Sequence, residues 1–126
     1  MPYRKLSYRH DRLRNSRLLL DLARVFNESI YGDRPLGASL DGVFIAACIA
    51  IGHAENRLMN TSKLAHYLGM SRQTVSRRVD ELIKLGVIER AGTYFYISPQ
   101  RYEQTRLLLR ANSLVASACR DLERFS

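Results

Sequence analysis

Apolar side chains recur with a helical period along most of this chain and with a strand period in one short stretch. Leu18, Leu22, Val25, Phe26 and Ile30 follow one another at three- and four-residue steps, which predicts a helix from about residue 13 to Tyr31 and Gly32 with these residues on one face. "GDRPLGAS" is punctuated by Pro35 and two glycines and reads as a loop. Ser39 is the expected N-cap of the next helix, and Asp41 in its first turn would complement the helix dipole. That helix, "LDGVFIAACIAIGHAEN", is apolar nearly all round, the pattern of a central core helix.

A compact block follows. "MNTSKLAHYLGM" offers Asn60 or Thr61 as the cap of a short helix with Leu64, Ala65 and Leu68 turned inward. Gly69 ends it, because glycine accepts the left-handed backbone of a sharp helix-to-helix turn, and Ser71 can cap the helix after it. In that second helix Val75, Val79, Leu82 and Ile83 make one stripe. With Val75 set at zero and about 100° per residue, Gln73, Arg77 and Lys84 fall at roughly 160°, 200° and 180°, directly away from the stripe. Gly86 stops the helix. Val87 and Ile88 begin a strand, "AGT" connects it to a second at Tyr94–Ile97, and the pair reads as a β-hairpin with one face packed inward. Ser98 and Pro99 restart a helix. In it Leu107, Leu108, Ala111, Leu114, Val115, Ala118, Cys119, Leu122 and Phe125 trace one apolar face. A stripe that long exceeds what so small a domain can cover, so a partner chain is expected on it.

Composition narrows the class of partner. The chain of 126 residues carries a formal charge of +8, enough for one domain with helical arms and suited to a polyanion. The charge is unevenly spread: residues 1–17 hold six basic and one acidic side chain, residues 57–90 seven and three, and the core-helix region between them is acidic. Arg4, Lys5, Arg9, Arg12, Arg14 and Arg17 make the N-terminus a basic arm, read either as a phosphate-tracking extension or as solubilising charge. Asp21 and Arg24 interrupt the apolar run after it, so neither a secretory leader nor a membrane span is expected, and the predicted location is the cytoplasm. Cys48 and Cys119 lack metal-ligand or CxxC spacing and are expected to be buried thiols. No metal site, cofactor or catalytic constellation is expected: there is no nucleophile elbow, Gly-rich phosphate loop or recognisable carboxylate pair.

Two helices joined by a glycine turn and followed by a hairpin are the element order of a winged helix-turn-helix. In such folds the first helix holds the second so that its N-terminal half enters the DNA major groove, about 12 Å wide. Gln73 and Arg77 are then the candidate base readers, suited to adenine and guanine. Thr61, Ser71, Arg72, Thr74, Ser76 and Arg78 are candidates for phosphate contacts, and Arg90 and Thr93 for contacts from the wing. The competing use of Arg72, Arg77 and Arg78 is a surface helix salt-bridged to Asp80 and Glu81. His53 and His66 read as surface or satisfied core histidines.

"TSKLAHYLGMSRQTVSRRVDELIKLGVIER" resembles the DNA-binding half of MarR-type bacterial transcriptional regulators, through the spacing of Ala65 and Gly69, the "SRQTVSR" helix start and the "LxxLGVIER" exit. It is also similar to the corresponding segment of Crp-type regulators, but helices before, a long helix after and no cyclic-nucleotide domain favour the MarR-type arrangement. The likeness implies a homodimer with interlocked terminal helices on a near-palindromic operator, most often a repressor, with room for a small-molecule effector. The wing departs from that pattern: only Ala91, Gly92 and Thr93 link its strands, whereas MarR-type wings are usually longer and carry an Asp-Arg tip.

The expected fold is therefore mainly α with a small β-hairpin. Residues 1–12 form a basic arm, 13–38 an N-terminal dimerisation helix and loop, 39–98 the winged helix-turn-helix and 99–126 a C-terminal dimerisation helix. The expected function is sequence-specific binding of double-stranded DNA to regulate transcription. The alternatives are a winged-helix module that binds protein, and a plasmid or phage replication or partition factor.

Overall fold

The computed structural model describes residues 10–102 and 105–125, with the elements α1 (His10–Tyr31), α2 (Leu36–Ala54), β1 (Met59–Asn60), α3 (Thr61–Leu68), α4 (Arg72–Lys84), β2 (Ile88–Ala91), β3 (Tyr94–Ile97), α5 (Pro99–Tyr102) and α6 (Thr105–Phe125). Residues 1–9, most of the expected basic arm, lie outside the described part, as do the side chains of Leu107, Leu108 and Phe125.

The core sits where α2, α3, α4 and the sheet meet. Ile45, Ile49, Leu64, Val75 and Leu82 are fully enclosed there, joined by Val79, Ile88 and Phe95. The expected stripes explain the packing: Leu64 and Ala65 of α3 meet Val75, Val79 and Leu82 of α4 across the glycine turn. Gly69 does adopt a left-handed backbone, φ 66°. The hairpin is tighter than expected. Ala91 is the last residue of β2 and pairs with Tyr94, leaving Gly92 and Thr93 as a two-residue turn. Gly92 has φ 63°, the sign its first central position needs for the strands to follow their natural twist.

Four expectations about the elements are corrected. The sheet has three strands in the order β1-β3-β2, because Met59 and Asn60 pair antiparallel with Phe95 and Tyr94. α2 begins one turn early, at Leu36: Pro35 stands at the N-cap position, Ala38 N–H closes onto its carbonyl, and Ser39 is buried inside the helix instead of capping it. α2 is not covered all round, since Phe44 and Ile51 face outward. Cys48 is buried, and burial raises its thiol pKa, but Cys119 is exposed on α6. By length and mean hydropathy of 1.6 alone α2 could cross a membrane; its place at the centre of the core is the ordinary reason for such a composition.

α6 lies along α1, with Ala111, Leu114 and Ala118 half-buried on the shared side and Arg110 paired with Glu28 at 2.9 Å. Val25 and Ile30 of α1 are buried. Leu19, Leu20, Leu109, Val115 and Leu122 of the two helices remain exposed.

Candidate nucleic-acid interface

Ser71 has the extended backbone of an N-cap, and its hydroxyl accepts a hydrogen bond from Thr74 N–H at 3.1 Å while donating to Thr74 Oγ1 at 2.9 Å. This serine box satisfies a first-turn amide that would otherwise lack a partner. α3 is capped in the same way by Asn60, whose side chain accepts from Lys63 N–H at 2.9 Å. Of the two cap candidates, Asn60 is used and Thr61 is the first helical residue, half-buried.

The apolar stripe of α4 faces the core, and its opposite face is open. Arg72, Gln73, Ser76, Arg77 and Lys84 are all exposed, in the directions that their helical positions dictate. Neither Arg72 nor Arg77 has a hydrogen-bond or ion-pair partner among the described residues. Two guanidinium groups and a carboxamide are thus presented to solvent beside a helix N-terminus, where backbone amides and the helix dipole favour an anion.

Arg78 is the correction. It was expected beside its neighbours as a phosphate contact, but its side chain is 13% exposed and turned inward. Nε pairs with Asp41 at 2.8 Å, Nη1 reaches Glu81 at 3.2 Å and Nη2 donates to the Ala38 carbonyl at 2.7 Å. Glu81 also receives Arg34 Nη1 at 2.8 Å, and the Arg34 guanidinium lies 4.5 Å from the centre of the Tyr31 ring. Burial acts against the charge on both Arg78 and Glu81. The opposite charges outweigh it, raising the Arg78 pKa above its ordinary value and lowering that of Glu81, the latter chiefly through Arg34. Burial first, then the Glu81 charge beside it, pushes the Tyr31 phenol to about 12. Its hydroxyl fits because residue 42 is glycine: a Cβ there would stand 1.8 Å from the Tyr31 oxygen. The sequence signal for this cluster is the three-residue spacing of Arg78 and Glu81 on the flank of α4, but their partners 37 to 47 positions away carry no periodic trace.

The wing contributes less free charge than expected. Arg90 is exposed, yet it leans on Asp80 at 3.5 Å and over the Phe95 ring at 5.4 Å; Thr93 sits exposed in the turn. The hairpin is anchored from below, where Ile97 N–H donates to His53 Nδ1 at 3.2 Å and the imidazole meets Tyr96 edge-on. His53 is thereby a satisfied, half-buried histidine, while His66 is exposed. Among the described residues no group of three or more His, Cys, Asp or Glu side chains could hold a metal ion.

Residues 49–93 match the family model described as MarR family. No curated protein and no solved structure matches the chain. The matched segment runs from the second half of α2 to the turn of the wing, so it contains the capped glycine turn, α4 and its solvent-facing arginines. With that element order and this match, residues 49–93 form a winged helix-turn-helix similar to that of the MarR family of transcriptional regulators.

Proposed function

We propose that the protein is a cytoplasmic, sequence-specific regulator that binds double-stranded DNA as a homodimer on a near-palindromic operator and represses transcription there. The observation that carries this reading is the open face of α4: Gln73 and Arg77 point outward from a capped helix whose other side is locked into the core. Gln73 reads adenine and Arg77 reads guanine, each pairing supplying about 1–3 kcal/mol of discrimination. Ser71, Arg72, Thr74, Ser76 and Thr61 hold phosphates, and Arg90 and Thr93 give the short wing a minor contact. The exposed leucines of α1 and α6 support a second chain docking on those helices. A two-fold dimer sets half-sites about one helical turn apart, ~34–36 Å.

Selection of bound sequences from a random duplex library tests the proposal: an inverted repeat is the expected outcome, and absence of any enriched sequence refutes it in favour of a protein-binding module. With the selected duplex, Arg77→Ala is expected to lose preference for operator over random DNA, whereas Arg72→Ala weakens both equally. Affinity is expected to fall steeply with salt as bound counterions are released.

A further inference from the structure

We infer that Arg78 and Glu81 are positioning residues: with Asp41, Arg34 and the Ala38 carbonyl they fix the rotational setting of α4 on the α1–α2 body, and so aim Gln73 and Arg77. The inference rests on the DNA-binding reading above for its consequence, though not for its geometry.

The contacts come from four places in the chain. α4 supplies Arg78 and Glu81, α2 supplies Asp41 and the Ala38 carbonyl, the loop before α2 supplies Arg34, and the end of α1 supplies the Tyr31 ring beneath it. Nη1 and Nη2 of the Arg78 guanidinium donate hydrogen bonds to Glu81 and the Ala38 carbonyl, and the buried Nε lies 2.8 Å from Asp41 as an ion pair without a hydrogen bond of its own, so the group is turned away from any phosphate. Two arginines face two carboxylates, so the cluster carries no surplus positive charge to attract one. A second arginine tethers the far end of the same helix: Arg101 of α5 donates to the Leu85 carbonyl at 3.3 Å and to the Ser29 carbonyl of α1.

The apolar stripe cannot perform this task alone. Burial of Val75, Val79 and Leu82 holds α4 down, but the hydrophobic effect has no direction, and a helix can roll on such a ridge. A guanidinium fork is planar and directional, and it tolerates little rotation. The lever is short but sufficient. With side-chain tips about 6 Å from the axis, a roll of about 20° displaces them by about 2 Å, more than the distance range that separates a bidentate hydrogen bond from none.

The test uses the full chain and the duplex selected above, in variants Arg78→Lys, Glu81→Gln and, as a phosphate-contact reference, Arg72→Ala, each checked for an unchanged far-ultraviolet spectrum. Arg78→Lys keeps the charge and loses the fork. It is expected to weaken operator binding about tenfold with an unchanged slope of log affinity against log salt, and to lose the preference for the best half-site spacing over one a base pair longer. Arg72→Ala is expected to lower the slope by about one and keep the spacing preference. A lowered slope with intact spacing preference for Arg78→Lys, or wild-type binding, overturns the inference. A readout without DNA separates it from the regulator reading: residual dipolar couplings of the α4 amides relative to those of α2 are expected to change in Arg78→Lys and Glu81→Gln. Unchanged couplings refute the positioning role even if the wild type selects an operator. A wild type that selects none refutes the regulator reading, whatever the couplings show.

Discussion

The winged-helix lobe and the α1–α6 arm differ in how far each satisfies its own apolar surface. In the lobe, Ile45, Ile49, Leu64, Val75 and Leu82 have no exposed area at all, and both helices of the motif are capped by side chains. In the arm, Leu19 is 63% exposed and Leu109 68%. The lobe encloses the stripes of α3 and α4 and opens a polar face on α4, with Phe44 and Ile51 of α2 turned outward elsewhere. The arm leaves apolar side chains open to solvent, which is why the proposed second chain is placed there. The arm helices are in fact richer in leucine than the lobe, 10 in 43 residues against 7 in 62, so leucine content does not decide burial; what differs is whether the stripe has an opposite number.

The comparison can be broken from the lobe side first. Leu64→Ala removes a fully buried side chain from the junction of α3 and α4, and a loss of about 2–5 kcal/mol of stability is expected in urea unfolding. A loss under 1 kcal/mol would mean that the lobe is loosely packed and the contrast false. Gly52→Ala probes backbone closeness in the same unit. A Cβ at residue 52 would stand 2.6 Å from the Arg57 carbonyl oxygen, where the chain folds back from α2, so a cost of about 1–3 kcal/mol is expected by the same measurement.

The arm should respond differently. Leu109→Ser together with Leu122→Ser is expected to change the unfolding free energy of the monomeric full chain by no more than about 0.5 kcal/mol, as surface substitutions do, while sedimentation shows a shift towards monomer. Unchanged association would place the partner contact elsewhere, with the outward Phe44 and Ile51 of α2 the next face to examine.

The smallest effect is expected at the seam between the two regions. The folded state holds the Tyr31 phenol at about 12 against an ordinary 10.0, so its contribution is full below pH 10 and fades as pH rises towards 12. Glu81 has the opposite sign: its pKa lies below the ordinary 4.5, so its contribution is present above that value and fades as pH falls below it. Tyr31→Phe is expected to flatten the alkaline limb of the stability profile and to weaken the acid limb only slightly, because Arg34 contributes more than the Tyr31 hydroxyl to holding the Glu81 carboxylate.

Much of the lobe was legible because its signals are local. The turn at Gly69, the cap at Ser71 and the stripe from Val75 to Leu82 each lie within one or two helical turns, and the outward direction of Gln73 and Arg77 follows from helix geometry once the stripe is known. What escaped was long-range. Arg78 has a phosphate-contact position on any helical wheel, and its inward turn depends on Asp41 and Glu81 together with a carbonyl on another helix. β1 was missed because two residues give no alternation to read. Ser39 looked like a cap because it precedes the apolar run, whereas Pro35 had already set the backbone for the first turn.

Asn60 ends up with two employers. Its main chain belongs to the outermost strand, opposite Tyr94, and its carboxamide closes the first turn of α3. The sheet and the helix are thereby indexed to one another through a single residue. A replacement at this position keeps both roles only if it tolerates extension in the backbone and still offers a lone pair to the amide three residues on.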